Sequence, residues 1–480
     1  MFNKLILLFH LLILATFCGC QYHYTPFPDD FYTYSPAGDI LRTPVTPPVA
    51  KLSNICSEIM PDGSFKLTSG NFQYSGQPGE YIFPALTDRQ KIWLLSEKDS
   101  PFMQLVQWDT ATGKTTVPYP CSHDISGIIA TYNNGNHRLH ALQYFSGGEI
   151  NYHYFDLNMA RMEQILHRNG VKCVIWHEKS PVAEKWLAEL LYTDRENRWA
   201  ECDLHTFTYR YLSPPVPISP TIRYKISYHA NDGTLIDAVL TIPEKFTEQL
   251  PLIIFPHGGP GTYDLVLYDF RAAFFAEQGF AVLQPNYRGS RHYGKKFRTD
   301  GWRAAGIKQA LNDIICGIDF LKNNSMIDTG KCFIFGGSWG GFLVTALLTA
   351  YPDLFKGGVA FFGVYDLPLM LQSFPERSCA HRALDKLQYG DIDNAEDMKD
   401  LDAISPLKNI KNLSAPLMFV HFTGDNVIDW HQAELLENAL IQADKTYIFY
   451  HGHGNHSFNS RSEELEYLQK AVSFFRNKIQ

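Results

Sequence analysis

The chain has 480 residues, with 42 Lys and Arg against 50 Asp and Glu, and a formal net charge of −8. That balance lacks the basic footprint of a nucleic-acid binder, so no nucleic-acid partner is expected. Hydrophobic residues at 45% and charged residues at 19% allow a large core and exclude wholesale disorder, while nine Cys are too few for a disulfide scaffold.

Met1 to Lys4 give a short basic start, and Leu5 to Phe17 form a mostly apolar run of 13 residues. A spanning helix needs about 20, so this run reads as a secretory signal. It ends Phe17-Cys18-Gly19-Cys20. A small residue directly before a Cys resembles a lipoprotein cleavage site, with Cys20 as the lipidated residue. Residues 1–20 are therefore expected to be a leader, and the membrane is met through a lipid anchor only. The expected location is extracytoplasmic, as an anchored lipoprotein, with secretion or a periplasmic location as the alternative. With Cys20 lipidated and Cys18 removed, seven Cys remain, most of them expected to be small buried apolar residues.

Residues 21–50 hold six prolines and read as a tether. Beyond them the sequence repeats. Trp108-Asp109, Phe155-Asp156 and Cys202-Asp203 are spaced 47 residues apart, and each pair ends an apolar strand. Ile92–Leu95, Leu139–Leu142 and Trp186–Leu191 precede them at matching offsets, and Asp62-Gly63 falls where a weaker fourth copy belongs. A period of about 40–50 with several strands per unit is the mark of propeller blades. Residues 51–215 are expected to form a partial or small β-propeller-like domain. The proline cluster Leu212–Pro220 marks its end.

From about 221 strands and helices alternate: strand 252–255, a helix near 268–278, strand 280–283, helix 307–323, strand 332–335, helix 340–350, and strand 358–362. Strand 417–421, helix 431–442, strand 447–450 and helix 462–477 follow. The expected fold of 216–480 is α/β, a parallel sheet covered on both faces.

Chemistry-bearing residues stand where these strands end. Gly336-Gly337-Ser338-Trp339-Gly340 is a G-x-S-x-G sequence between an apolar strand and a helix, the context of a nucleophile elbow in an α/β-hydrolase domain. A serine hydroxyl needs a base, and the base an orienting acid. Asp425 or Asp429, after strand 417–421, can supply the acid. One of His451, His453 and His456, after the last strand, can supply the base. A metal cluster is the competing reading of these histidines, but glycine-separated His are not helix-spaced ligands, and no metal is expected. An oxyanion hole needs two donors. Trp339 N–H is one, and the loop Pro256-His257-Gly258-Gly259-Pro260 resembles the source of the other.

These motifs together resemble the prolyl oligopeptidase family of serine peptidases, in its acylaminoacyl-peptidase-like branch. The resemblance is carried by His257-Gly-Gly-Pro260, Gln284-Pro-Asn-Tyr-Arg-Gly-Ser290, Gly336-Gly-Ser-Trp-Gly-Gly341, Ser405-Pro406 and the loops of Asp425 and His456. It implies a β-propeller before the hydrolase domain, Ser338 as nucleophile, Asp425 as acid and His456 as base. It also implies a peptide substrate and no cofactor. The family's acid lies four residues after the strand-end His, which selects Asp425, and its terminal His-Gly-Phe matches His456-Ser457-Phe458 except at the glycine. Where relatives place a tyrosine in the oxyanion hole, His257 stands here; backbone donation from His257-Gly258 is expected, with help from the imidazole. Trp339 replaces the usual Tyr, Ser290–Gly294 replaces a glycine-richer loop, and the propeller is shorter than the usual seven blades. A carboxylesterase or other acyl hydrolase is the alternative function, and an inactive surface binding protein the third. Assembly into a homo-oligomer is compatible with the sequence.

Overall fold

The 47-residue spacing corresponds to one small antiparallel sheet per period. In a computed structural model, residues 32–34, 40–42 and 56–478 are described, apart from 61–63, 70–71, 79, 81, 89–90, 134–135, 180–184 and 374–378. The leader, Cys20 and Asp62 lie outside the described residues. The proline-rich stretch contributes one short antiparallel pair, Tyr32–Tyr34 with Ile40–Arg42.

Four small sheets follow in chain order. The first holds Cys56–Ile59, Phe65–Ser69 and Phe72–Ser75. The second holds Ile82–Asp88, Lys91–Ser96, Gln104–Asp109 and Thr115–Thr116. Ile125–Asn133, Asn136–Ser146 and Glu149–Tyr154 make the third, and Cys173–Lys179, Lys185–Leu191, Arg198–Asp203 and Thr208–Tyr211 the fourth. Strand side chains alternate between faces, so Ile92 and Leu94, or Trp186, Ala188 and Leu190, are buried on one side.

Each repeated Asp closes the third strand in the same way. Oδ1 accepts the backbone N–H groups two and three residues on: Ala111 and Thr112 for Asp109, Asn158 and Met159 for Asp156, His205 and Thr206 for Asp203. An Asx turn serves a hairpin or a helix equally well. In the second and fourth sheets a fourth strand follows; in the third the turn caps the helix Leu157–Arg168 instead. There Asp156 Oδ2 also lies 2.9 Å from His140 Nδ1, and His140 Nε2 lies 2.8 Å from Thr131 Oγ1.

The larger unit is one eight-stranded sheet. Its strands, numbered within the sheet, are β1 (Thr221–His229), β2 (Leu235–Pro243), β3 (Leu250–Ile254), β4 (Ala281–Pro285), β5 (Ile327–Gly337), β6 (Gly358–Phe361), β7 (Leu417–Phe422) and β8 (Tyr447–Gly452). The spatial order is β1-β2-β4-β3-β5-β6-β7-β8. From β4 onward neighbours are parallel, but β1 pairs β2, and β2 pairs β4, antiparallel. The sheet is therefore mixed where the sequence suggested a parallel one. The reason is local: Ala230-Asn-Asp-Gly-Thr234 turns tightly, with Gly233 at φ +85°, so no crossover helix separates β1 from β2.

Aliphatic side chains from the helices Arg303–Leu321 and Trp339–Ala350 pack on one face of the sheet. Phe255, Phe275, Phe333, Phe335 and Phe475 pack on the other. The two regions share buried contacts. Arg298 donates to Glu97 at 2.6 and 2.8 Å with both side chains buried, and Gly294 N donates to Asp124 Oδ2 at 2.9 Å. Leu384, on the helix Cys379–Gln388, enters the core of the first two small sheets beside Leu67, Tyr74 and Ile82. Among the described residues Cys121, Cys173, Cys202, Cys316 and Cys332 are free thiols and all but Cys121 are buried, as small apolar residues would be. No helix among the described residues is long and apolar enough to cross a membrane.

Candidate active site

Strand β5 buries Cys332 to Phe335 completely and delivers Ser338 at its carboxyl end, the edge where ligands gather in open α/β sheets. Ser338 has φ 57° and ψ −122°, a conformation an L-residue adopts only under constraint. Such backbone costs on the order of 1–3 kcal/mol and persists where its surroundings over-determine it. Here they do. Ser338 N donates to Phe361 O at 2.7 Å, and Phe342 N donates to Ser338 O at 3.1 Å. A Cβ added to Gly340 would lie 2.5 Å from Pro256 O, so only glycine lets the turn close on the neighbouring loop. The helix Trp339–Ala350 starts at once, and Ser338 stays half-buried at its amino end.

The carboxyl end of β7 leads into Asp425, and that of β8 into His456. Asp425 Oδ2 lies 2.7 Å from His456 Nδ1, while Oδ1 accepts the N–H groups of Val427 and Ile428, each at 2.9 Å. The Asp425 side chain is fully buried and that of His456 is 19% exposed. Burial acts to raise the Asp425 carboxyl. The hydrogen bond and charge of His456 and the two amides outweigh it and hold the group below the usual carboxylate range. The alternatives sit elsewhere: Asp429 Oδ1 accepts His431 N–H, His453 Nδ1 lies 3.0 Å from Thr423 Oγ1, and the His451 ring lies against Phe449 and Trp430. Among the described residues no three His, Cys, Asp or Glu side chains group as a metal site.

Ser338 and His456 each approach Phe361-Phe362. The first is bonded to the Phe361 carbonyl, and the Phe362 ring centroid lies 5.7 Å from that of His456. No hydrogen bond joins the Ser338 hydroxyl to His456 among the described residues. Such bonds are often long without substrate and tighten in the reacting complex. A carboxylate bound at Nδ1 leaves Nε2 to face a hydroxyl.

The loop after β3 lies against the elbow: a Cβ added to Gly258 would sit 3.5 Å from Ser338 Cβ. Its imidazole, however, is not at the site, which corrects the expected help from the His257 side chain. His257 is 2% exposed, with Nε2 2.8 Å from Ser290 Oγ and Nδ1 2.8 Å from Thr262 Oγ1. Tyr287 donates to the His257 carbonyl at 2.9 Å, and Thr262 Oγ1 to the Gly258 carbonyl at 2.5 Å. Three hydroxyls thus fasten the ring beneath the loop. Burial pushes its pKa down to about 4, against the bond with the Gly258 carbonyl, so the ring is neutral near pH 7.

Two residues have roles at the site that the sequence reading did not assign. His421, at the end of β7, is fully buried; its Nε2 lies 3.0 Å from Ile428 O and 3.6 Å from Asp425 Oδ2. Burial lowers its pKa against the opposing Ile428 carbonyl, so it braces the Asp425 turn as a neutral ring. Phe362, at φ 51°, turns the chain after β6 to place its ring beside His456. Its only signal in the sequence is the Phe-Phe-Gly at a strand end.

Residues 267–480 match the model described as the prolyl oligopeptidase family. The chain is 28% identical over 253 residues to dipeptidyl peptidase family member 6 of Caenorhabditis elegans, covering 51% of this chain and 33% of that protein. It is 26% identical over 266 residues to dipeptidyl aminopeptidase BIII of Pseudoxanthomonas mexicana, covering 52% and 38%. The matches thus span under half the length of these relatives. Among solved structures, a puromycin-hydrolysing peptidase of Mycobacterium tuberculosis superposes with a TM-score of 0.72 at 18% identity, over 87% of this chain and 66% of that one. An acylaminoacyl peptidase of Pyrococcus horikoshii superposes with 0.63 at 19% identity, over 86% and 66%. At these identities the likeness is one of fold: propeller sheets followed by an α/β-hydrolase domain.

Proposed function

We propose that this protein, whose residues 267–480 belong to the prolyl oligopeptidase family, is a serine peptidase that cleaves short peptides through an acyl-enzyme. Ser338 Oγ attacks the scissile carbonyl while His456 Nε2 takes its proton. The carbonyl oxygen becomes an oxyanion, held by the N–H groups of Trp339 and of the His257-Gly258 loop. His456 returns the proton to the leaving amine, and Asp425 stabilises the imidazolium throughout. Water then repeats the sequence on the acyl-enzyme and frees the serine. No metal or organic cofactor enters these steps.

The observation that carries the reading is the 2.7 Å Asp425–His456 bond beside a serine held at φ 57°. A fluorophosphonate probe tests it, with labelling of the wild type and none of Ser338→Ala expected. Absence of any labelling would move the protein to the surface-binding alternative. Turnover of simple esters without aminoacyl amides would make it an esterase. The reading also places the enzyme outside the cytoplasm, anchored through Cys20; fatty-acid incorporation that is lost in Cys20→Ala is the expected result.

A further inference from the structure

Two buried oxygens without a partner stand on one pair of side chains. Asp264 Oδ2 and Gln284 Oε1 find no hydrogen-bond partner, although Asp264 is 7% exposed and Gln284 0%. On its other side the pair is already joined, Gln284 Nε2 donating to Asp264 Oδ1 at 3.0 Å. Two acceptors cannot satisfy each other. A single proton on Oδ2 would turn that oxygen into a donor, and with Nε2 already on Oδ1 the complementary partner is Oε1, in a ring of two hydrogen bonds between a carboxylic acid and a carboxamide. We propose that Asp264 is held as a neutral acid paired with Gln284, and that this pair is a latch fixing the segment Tyr263–Tyr268 to strand β4.

The surroundings favour the neutral form. Asp269 Oδ2 lies 3.3 Å from Gln284 Nε2, so ionising Asp264 would set a second negative charge beside a carboxylate. Asp269 Oδ1 accepts from Ala272 N at the start of the helix Phe270–Glu277. From β1, Arg223 opposes with its positive charge, while donating to Thr241 Oγ1 and the Leu265 carbonyl. The remaining titratable neighbours are Tyr287 and Tyr293, whose hydroxyls serve His257 O and Asn286. Burial first and Asp269 second raise the Asp264 carboxyl to about 8, with Arg223 and Gln284 acting against them.

The latched segment connects both regions to the candidate oxyanion loop. Tyr268 N donates to Tyr192 O at 2.7 Å, and Leu265 and Leu267 pack with Phe145, Cys173 and Leu191 of the small sheets. At its other end Thr262 donates to the Gly258 carbonyl. Losing the proton breaks half of the ring at the middle of this connection.

The sign of the linkage follows. Between the ordinary carboxyl value of 3.8 and about 8, the folded protein holds a proton that the unfolded chain has lost. The unfolding constant therefore rises tenfold per pH unit across that window and levels above it. Asp264→Asn keeps the ring, since an amide both donates and accepts, and removes the titration. The test is an infrared difference spectrum of wild type minus Asp264→Asn, with urea unfolding of both from pH 5 to 9. Expected are a protonated-carboxyl band at pH 7 that fades above about 8, and a stability advantage of Asp264→Asn that grows with pH and then levels. A carboxylate band at pH 7, or a stability difference independent of pH, would overturn the proposal. Gln284→Leu covers the case in which Asp264→Asn does not fold: the acid band must move to higher frequency, and an unmoved band overturns the pairing. These readings involve no turnover and stand apart from the peptidase proposal. A turnover arm, which rests on that proposal, expects an alkaline loss of amide hydrolysis in the wild type that Asp264→Asn lacks. An identical loss in both would overturn the link from latch to loop.

Discussion

Among the described residues a hydroxyl, an imidazole and a carboxylate can be compared at two places. In the third small sheet Thr131, His140 and Asp156 are connected at 2.8 and 2.9 Å, a closed relay. In the α/β-hydrolase domain His456 and Asp425 are joined at 2.7 Å, while the Ser338 hydroxyl is bonded to neither. By distance alone the first is the better triad. Yet Thr131 lies within an extended strand, His140 is 5% exposed, and its ring is boxed against Trp186 at 5.0 Å. Ser338 instead stands on strained backbone at a helix N-terminus, beside a glycine-bearing loop, with its imidazole partly open to solvent. The contrast teaches that the groups do not make a nucleophile. On the proposed reading, what does is placement: a hydroxyl on a strained turn at a strand end, at a helix N-terminus and beside a glycine-bearing loop.

The sharpest break between the two relays is Ser338→Ala against Thr131→Val. The first is expected to lower amide turnover by at least ~10³-fold, while the second keeps wild-type turnover and probe labelling. Next come the acid and base. Asp425→Asn or His456→Gln should lower kcat by about 10³–10⁴-fold, whereas Asp429→Asn and His453→Gln stay within about twofold, measured on one aminoacyl amide. Equal losses at Asp429 and Asp425 would contradict the pairing seen here. His257→Phe, which removes the bonds of the ring to Ser290, Thr262 and Tyr287, should lower kcat by about tenfold or more with little change in KM. The same ring sets a pH slope. Its pKa is about 4 folded against an ordinary 6.5, so only the unfolded chain gains a proton between those values. Stability then rises with pH from about 4 to 6.5, and urea titrations of His257→Phe should lack that part of the rise. The smallest effects belong to the structural relay: His140→Leu is expected to cost about 1–3 kcal/mol of unfolding free energy with kcat unchanged.

Much of this was legible in the sequence because the relevant physics is local. The Asx turns of Asp109, Asp156 and Asp203 need one side chain and the next three residues, so their spacing revealed the sheets before any pairing was known. The elbow declared itself likewise, through glycines around a serine between a strand and a helix. The unread features depend on partners far along the chain. The antiparallel β1–β2 edge, with half-exposed side chains on its outer strand, carries little apolar signal. His257 reads as a site residue from its motif, and only Thr262, Tyr287 and Ser290 around it show a fastener. The Asp264–Gln284 contact has no sequence mark at all, since either residue alone belongs equally well on a surface.

The Glu97–Arg298 pair has a consequence for dissection and grafting. Both charges are out of water, and each is paired with a residue 201 positions away. Cutting the polypeptide near residue 216 would take Glu97 from the guanidinium and bare Leu384 together, so the α/β-hydrolase half has no clean excision point. A chimera that borrows its sheets from a relative must import an acid at the Glu97 position, or accept a halved protein that clumps before it can be assayed.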